Sequence, residues 1–492
     1  SADRDIPGGK RSATYISCVG DSARVRRLAV ERPRSRRCVL SAVRRSGVTA
    51  DSSTSRIHTD AKPLLPPTRL PSPVTLVGLD DTDSRERGMC TTYVAARVAE
   101  AIETAGGSVD RRLLIRLNPA IEFKTRGNAA LCIETDLDPD RAFDLASAEV
   151  DALAEVDDPR TDPGVVVADA TAETVPDAVA DVARRALRER LTVDETVALL
   201  DRLGYRHDGG RGRIGALAAL GAYRAFDDWT YERIAYRDLD RCGTPRDVDR
   251  ASAFAAAETA YSDAWDTVDR IEDELVCVPA APGPILYGIR GDDAETVREV
   301  AAAIESEPVA RGVTYLTNQG TDAHLRDGTV GEVREGRAYR VDGVVDDAPE
   351  TRAGGHVHLS IRDGDARLPC VAFEPTKRFR DRVRALRPGD RVTVCGEVGD
   401  GTLKLEKFAL RDPVRTERVV PTCPDCGRSM GSAGRDQGYR CRDCGTSAPG
   451  RVERPLDRAL DPGWYEVPPC ARRHVAKPLV RGGFDAPTHP ER

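Results

Sequence analysis

An apolar segment over residues 74–79 runs into Asp80-Asp81-Thr82-Asp83, then through Gly88-Met89-Cys90 into Thr91-Thr92-Tyr93. The pattern predicts a buried strand, a crowd of three carboxylates at its end, and a glycine turn that opens a helix near Thr91. Like charges gathered there repel unless a cation offsets them. A hard cation such as Mg²⁺ takes oxygen ligands and keeps other positions for water and phosphate oxygens. The helix start aims backbone N–H groups at the same point, which suits an anion. The segment therefore predicts a metal–phosphate site for ATP. An acidic surface turn with a helix N-cap is the plain alternative.

A chain of 492 residues is long enough for roughly three to four domains. It has no apolar run long enough to span a bilayer and no signal peptide, so a cytoplasmic protein is expected. Of its 13 cysteines, four fall in C-x-x-C pairs, which suits a reducing compartment with one metal site. Residues 1–72 carry 15 Lys and Arg against 6 Asp and Glu. With a net charge of −7 overall, the remainder carries −16. Only seven lysines occur in the whole chain. An acid-rich, lysine-poor body is what a high-salt cytoplasm favours, and a halophile is expected.

Residues 1–72 are rich in Arg, Ser and Pro and lack apolar periodicity. They are expected to form a disordered or non-native basic extension, with a basic RNA-binding arm as the rival reading. From 73 to 195 strands and helices alternate, an α/β pattern. From 196 to 335 the mixture continues as an α+β block, with a helix over 214–225 and strands over 274–279, 284–289 and 312–317. From 336 to 412 five strands with one helix after the third follow the order of an OB-type barrel. The block 413–492 holds the cysteine pairs and an ordered-looking tail.

Cys423-Pro-Asp-Cys426-Gly and Cys441-Arg-Asp-Cys444-Gly stand 14 residues apart. Each pair places two thiolates on one tight turn, and together they close a tetrahedral shell around a structural Zn²⁺, as in a zinc ribbon. Lys124-Thr125-Arg126-Gly127-Asn128 offers two cations beside an amide, suited to phosphate or to a solvated turn. Arg211-Gly212-Arg213-Ile214-Gly215 leads into a helix and suits either a bound anion or close packing; it is no Walker loop. Tyr339, His356, His358 and Phe373 fall on barrel strands, where they either stack bases or fill the core.

The stretches GLDDTDSRERGMCTTY (78–93), RLNPAIEFKTRGNAA (116–130), DPGVVVAD (162–169), GRGRIGALAALGA (210–222), IAYR (234–237), PGPILYGIRG (282–291), TNQGTDAHL (317–325), GGHVHL (354–359), AFEPTKRFR (372–380) and PGWYEVPPCARRHVAKPLVR (462–481) resemble the archaeal 2-agmatinylcytidine synthetases of isoleucine tRNA. The resemblance covers everything after residue 72. It implies a kinase-like domain, a ferredoxin-like domain, an OB barrel and a zinc ribbon. It implies ATP-dependent phosphorylation of the C2 oxygen of a wobble cytidine, in a CAU anticodon, and its replacement by agmatine. Asp80, Asp81, Asp83, Thr91, Lys124 and Arg126 would act in catalysis, with Thr91 also self-phosphorylated. Asp80, Asp81, Thr82, Asp83, Thr91, Thr92, Asn128, Gly212, Arg213 and Gly215 would hold ATP and Mg²⁺. Asp162 and Asp322 are candidates for agmatine, and the basic residues of 470–477 for RNA. The partners are the tRNA and agmatine, with no membrane or protein partner. A non-catalytic OB and zinc-ribbon nucleic-acid binder is the alternative.

Overall fold

The computed structural model describes residues 74–122, 124 and 127–492. The extension expected over 1–72 and the candidate Arg126 lie outside the described residues.

Strand β1 (Thr75–Asp80) is the centre of the first half. It is flanked antiparallel by β3 (Ala129–Thr135) and β4 (Gly164–Asp169), with Val77 opposite Ile133 and Val167. Beyond them lie β2 (Val109–Arg116) and β5 (Arg206–Gly209). Successive side chains of β1 point to opposite faces, so both faces must be covered. Val77 and Leu79 pack with Val94, Val98 and Ile102 of α1 (Thr91–Thr104) and with Ala142 and Val150 of α2 (Pro139–Leu153). Leu76 packs the other way, among Val179 of α3 (Asp177–Ala186), Leu200 of α4 (Val193–Leu203) and Leu217 and Leu220 of α5 (Arg213–Ala225). The helix α5, which the sequence pattern groups with the second block, thus covers the sheet of the first. Gly78 permits it: a side chain there would strike the Ala216 carbonyl and Leu220.

The second half contributes β6 (Thr230–Tyr236), β7 (Ala264–Trp265), β10 (Ile285–Gly291) and β11 (Arg311–Thr317), with a small hairpin of β8 (Val268–Asp269) and β9 (Glu274–Leu275). Helices α6 (Arg250–Ala260) and α7 (Ala294–Ala303) pack Ala253 and Val297 against Leu286 and Ile289. Both halves share one nine-stranded sheet, ordered β5-β4-β1-β3-β2-β11-β6-β10-β7. The seam between them is parallel, with Leu113 beside Leu316 and Leu114 beside Thr317. The strand expected over 274–279 stops at Leu275. Cys277 N–H bonds the Thr267 carbonyl instead, and Pro279 brings no donor for a ladder.

Five strands then close a barrel, as the pattern predicted. β13 (Ala338–Val345) pairs with β15 (Val357–Asp363) and β17 (Arg391–Gly399). β16 (Ala366–Ala372) links β15 to β18 (Thr402–Asp412), and β18 returns to β17. The helix α8 (Phe379–Arg384) follows the third barrel strand and inserts Phe379 against Phe408. Tyr339 is core: it is buried, and its hydroxyl accepts from Arg334 N–H at 3.1 Å. Short strands β12 (Leu325–Gly328) and β14 (Glu350–Thr351) edge the barrel.

Beyond it, β19 (Thr416–Val419) pairs with β23 (Val452–Pro455) beneath a three-stranded knuckle of β20 (Gly431–Ser432), β21 (Tyr439–Arg440) and β22 (Ser447–Ala448). The chain returns as β24 (Gly463–Glu466) on β18, with β25 (Thr488–His489) alongside. Residues 467–487 form a strap between barrel and second half. Arg472, expected to meet RNA, is buried between Asp266 and Glu466. Arg473 pairs with Glu406 at 2.5 Å and Glu397 at 3.0 Å. The strap's arginine charge is therefore taken up internally. Among the described residues, no helix is long and apolar enough to cross a membrane.

Candidate functional site

The end of β1, the start of α1 and the start of α5 meet at a cavity of about 530 Å³, whose far lining comes from β6, β10 and residues 276–285. That volume suits a nucleotide-sized ligand. Asp80, Asp81 and Asp83 all line it. Asp81 sits at φ 62°, a left-handed backbone few residues other than glycine adopt, and its N–H bonds Asp80 Oδ1 at 2.7 Å. Burial, then repulsion from Asp81, holds the Asp80 carboxyl well above its usual range. Burial likewise raises Asp81 to about 6, although Arg211 opposes the shift with an ion pair at 2.5 Å. Burial raises two of these acids beside a third carboxylate, and carboxylate oxygens are the donors that a hard divalent cation such as Mg²⁺ takes.

Thr91 and Thr92 line the cavity at the first turn of α1. The N-cap, Cys90, makes no side-chain cap, so this helix start faces the cavity without one. Thr82 is buried behind it, and its hydroxyl donates to Thr91 Oγ1 at 3.1 Å. Lys124 and Asn128 line the cavity too; burial lowers the Lys124 amine, with nearby Glu397 opposing. Asn128 donates to the Asn118 carbonyl at 2.7 Å, which shapes the loop carrying Lys124.

The glycine-rich turn works by proximity. A side chain at Gly212 would come 2.7 Å from the Asp80 carbonyl, and one at Gly215 would overlap the Asp80 carboxylate. Gly215 lines the cavity, whereas Arg213 turns its Nε to the Gly210 carbonyl at 3.0 Å. Asp162 accepts the Arg211 N–H at 2.8 Å and so supports that turn. Asp322 faces the barrel, receiving Lys407 Nζ at 2.8 Å on both oxygens.

Arg211, named in its glycine-rich turn by the sequence, lines the cavity as well, and so do Arg116, Glu232, Arg246 and Arg290, which escaped sequence reasoning. One signal existed: Glu232 is an acid on the buried side of an alternating strand, with Thr230 and Ile234. Far from this cavity, the sulfurs of Cys423, Cys426, Cys441 and Cys444 lie within 4.8 Å of one another, a fit for tetrahedral Zn²⁺.

The family models that match are described as the TiaS TCKD domain (residues 76–136 and 134–209), the TiaS FLD domain (210–324) and the TiaS C-terminal zinc ribbon domain (420–460). A curated relative, the isoleucine-tRNA 2-agmatinylcytidine synthetase TiaS of Haloquadratum walsbyi, is 56% identical over 462 residues, covering 85% of this chain and all of the relative. The protein of that name from Archaeoglobus fulgidus is 41% identical, covering 82% and 97%. A crystal structure of TiaS in complex with its isoleucine tRNA and ATP superposes with a TM-score of 0.78 at 39% identity, covering 85% of this chain and 100% of that one. The complex of TiaS with the same tRNA, AMPCPP and agmatine gives 0.76 at 37% identity, with the same coverage.

Proposed function

The chain belongs to the family of TiaS, the 2-agmatinylcytidine synthetases of isoleucine tRNA, and from that premise we propose the following chemistry. The enzyme uses ATP to replace the C2 oxygen of the wobble cytidine of an isoleucine tRNA with agmatine, forming a C–N bond. The observation that carries this reading is the aspartate end of β1 lying in one cavity with the start of α1.

A cytosine C2 oxygen leaves poorly. Once phosphorylated, it departs as phosphate with the C–O electron pair, while the agmatine nitrogen bonds C2 and loses a proton. Phosphoryl transfer needs alignment and charge neutralisation more than covalent help. Mg²⁺, when bound, would neutralise phosphate oxygens. Asp80, Asp81 and Asp83 would hold it, and the first turn of α1, with Thr91 and Thr92, would face the phosphates. Thr91 would be the self-phosphorylated residue, held by the Thr82 hydroxyl. Lys124, Arg126 and Asn128 would meet phosphates or the anticodon, and Gly212 and Gly215 would bring the α5 backbone close. The wobble base lies in a loop, so drawing it into a cavity costs less than from a duplex.

In this reading residues 73–195 are the kinase-like part, 196–335 the ferredoxin-like part, 336–412 an OB barrel and 413–492 the zinc ribbon with its strap. The barrel and ribbon would grip the tRNA, and the enzyme would act in the cytoplasm.

The test is direct: incubate the full chain with ATP, Mg²⁺, radiolabelled agmatine and the CAU isoleucine tRNA in high salt. Label should enter the tRNA only when ATP is present. A folded chain that binds the tRNA yet transfers no label would be a binder and not an enzyme.

A further inference from the structure

Where the end of β2 meets β6 and β10, the cavity wall carries a charge cluster that the chemistry above leaves unused. Glu232 is 4% exposed, and its two oxygens are divided between two arginines. Arg116 Nη2 donates to Oε2 at 3.2 Å, and Arg290 Nε donates to Oε1 at 3.3 Å. Arg116 is fixed further: its Nε donates to Gln319 Oε1 at 2.7 Å, its N–H to Asn318 Oδ1 at 2.8 Å, and its carbonyl accepts from Asn318 Nδ2 at 3.1 Å. These bonds occupy Nε and Nη2 of Arg116 and only Nε of Arg290. Nη1 of Arg116 and both terminal nitrogens of Arg290 make no hydrogen bond to any described residue. All three side chains line the cavity.

We propose that Arg116 and Arg290, held apart by Glu232, form a seat for a phosphate group inside the cavity. The cluster is net positive, so at this wall it favours an anion. Guanidinium edges match phosphate oxygens with paired, charge-assisted bonds. Glu232 is a positioning residue: it spends one edge of each arginine and so orients the rest. Burial alone would raise its carboxyl, but the Arg290 and Arg116 guanidiniums outweigh that and hold it below the usual range, ionised. Gly288 keeps the approach open, since a side chain there would come 3.1 Å from Glu232 Oε1. Two phosphates can reach such a seat: a phosphodiester beside the wobble cytidine, or the phosphoryl group carried on its C2 oxygen.

The seat rests on the tRNA reading above, and the experiment separates the two. The full chain, Arg290→Gln and Glu232→Gln are assayed for agmatine transfer and, without nucleotide, for tRNA affinity. For a phosphodiester, Arg290→Gln raises KM for tRNA roughly tenfold or more and leaves kcat within about twofold, because a hydrogen bond to a charged group is lost. For the phosphoryl group, kcat falls by roughly the same factor while tRNA affinity holds. Glu232→Gln shifts the same constant in the same direction. Variants that melt like the parent and keep both constants within about twofold overturn the seat. Should the variants not fold, inorganic phosphate titrated into the wild-type chain at constant ionic strength decides. Inhibition of transfer supports the seat, and none overturns it. A wild-type chain that transfers no agmatine defeats the functional reading instead; calorimetric phosphate binding by it, absent in Arg290→Gln, still upholds the seat, and equal binding by both removes it.

Discussion

Two places in this molecule bury carboxylates, and they are wired differently. At the root of the strap, Glu466 at the end of β24 accepts from Leu479 N–H at 2.8 Å, Glu491 N–H at 3.1 Å and Arg472 at 2.8 Å. In the cavity, Asp80 accepts one hydrogen bond among the described residues, from its neighbour's N–H. The first carboxylate is surrounded by the protein's own donors, and the second has one. A buried charge is tolerated when donors surround it, so counting donors separates structural from functional acids.

Asp80→Asn should break the cavity's side of this contrast most. Agmatine transfer should fall roughly a thousandfold, as when a principal transition-state charge contact is removed. Stability should hold or rise in a urea titration, because burial and repulsion from Asp81 both oppose the charge. A destabilised Asp80→Asn would mean the cavity acids are structural after all. Arg472→Met tests the other side. It strands Asp266 and Glu466 in the interior and should cost about 3–5 kcal/mol by the same titration. A loss near zero would mean the strap does not depend on its ion pairs.

Acid sharpens the comparison through a third buried group. His324, whose Nε2 lies 3.2 Å from the Arg116 carbonyl, is pushed down to about 4 by burial, and its ring meets that of His474 at 5.3 Å. Burial pushes His474 down as well, and Arg116, Arg188, Arg473 and Lys124 add positive charge around the pair. Between about pH 6.5 and 4 the unfolded His324 binds a proton that the folded one refuses. Stability is therefore full above that window and falls through it, by about 3 kcal/mol for His324. Glu466, raised to about 7, has the opposite sign, since its burial costs stability as pH rises from 4.5 to 7. His324→Gln should flatten the acid limb of a melting-temperature profile; an unchanged limb assigns the acid sensitivity elsewhere.

The smallest effect belongs to Tyr315→Phe, which deletes the hydroxyl bond to the Thr92 carbonyl at 2.7 Å. It should cost about 1 kcal/mol in the urea midpoint and slow transfer slightly. No change in either would show that the second half does not steady the start of α1.

What was legible in the sequence was local. Asp80 to Asp83, the two cysteine pairs and the five barrel strands each announce themselves within a few residues, because strand alternation and turn chemistry are short-range. What was not legible depends on partners far along the chain. Arg116 meets Glu232 and Gln319, Arg472 meets Asp266, and α5 returns to cover β1. Arg472 and Arg473 read as RNA contacts only because Asp266, Glu397 and Glu406 lie more than sixty positions away. The strand expected to run on through 276–279 shows the same limit: it ends at Leu275, and the Cys277 N–H goes to the Thr267 carbonyl.

The parallel seam has a consequence for synthesis. While the chain emerges, β2 is the bare rim of the first sheet until residues 311–317 arrive to seal it. An open rim templates unwanted pairing between nascent chains. Arg111 and Arg112 on that rim pair with Glu134, Glu173 and Glu103 of the same half, so Arg116, whose acid partner Glu232 comes later in the chain, is the rim charge that disfavours pairing of two unfinished copies.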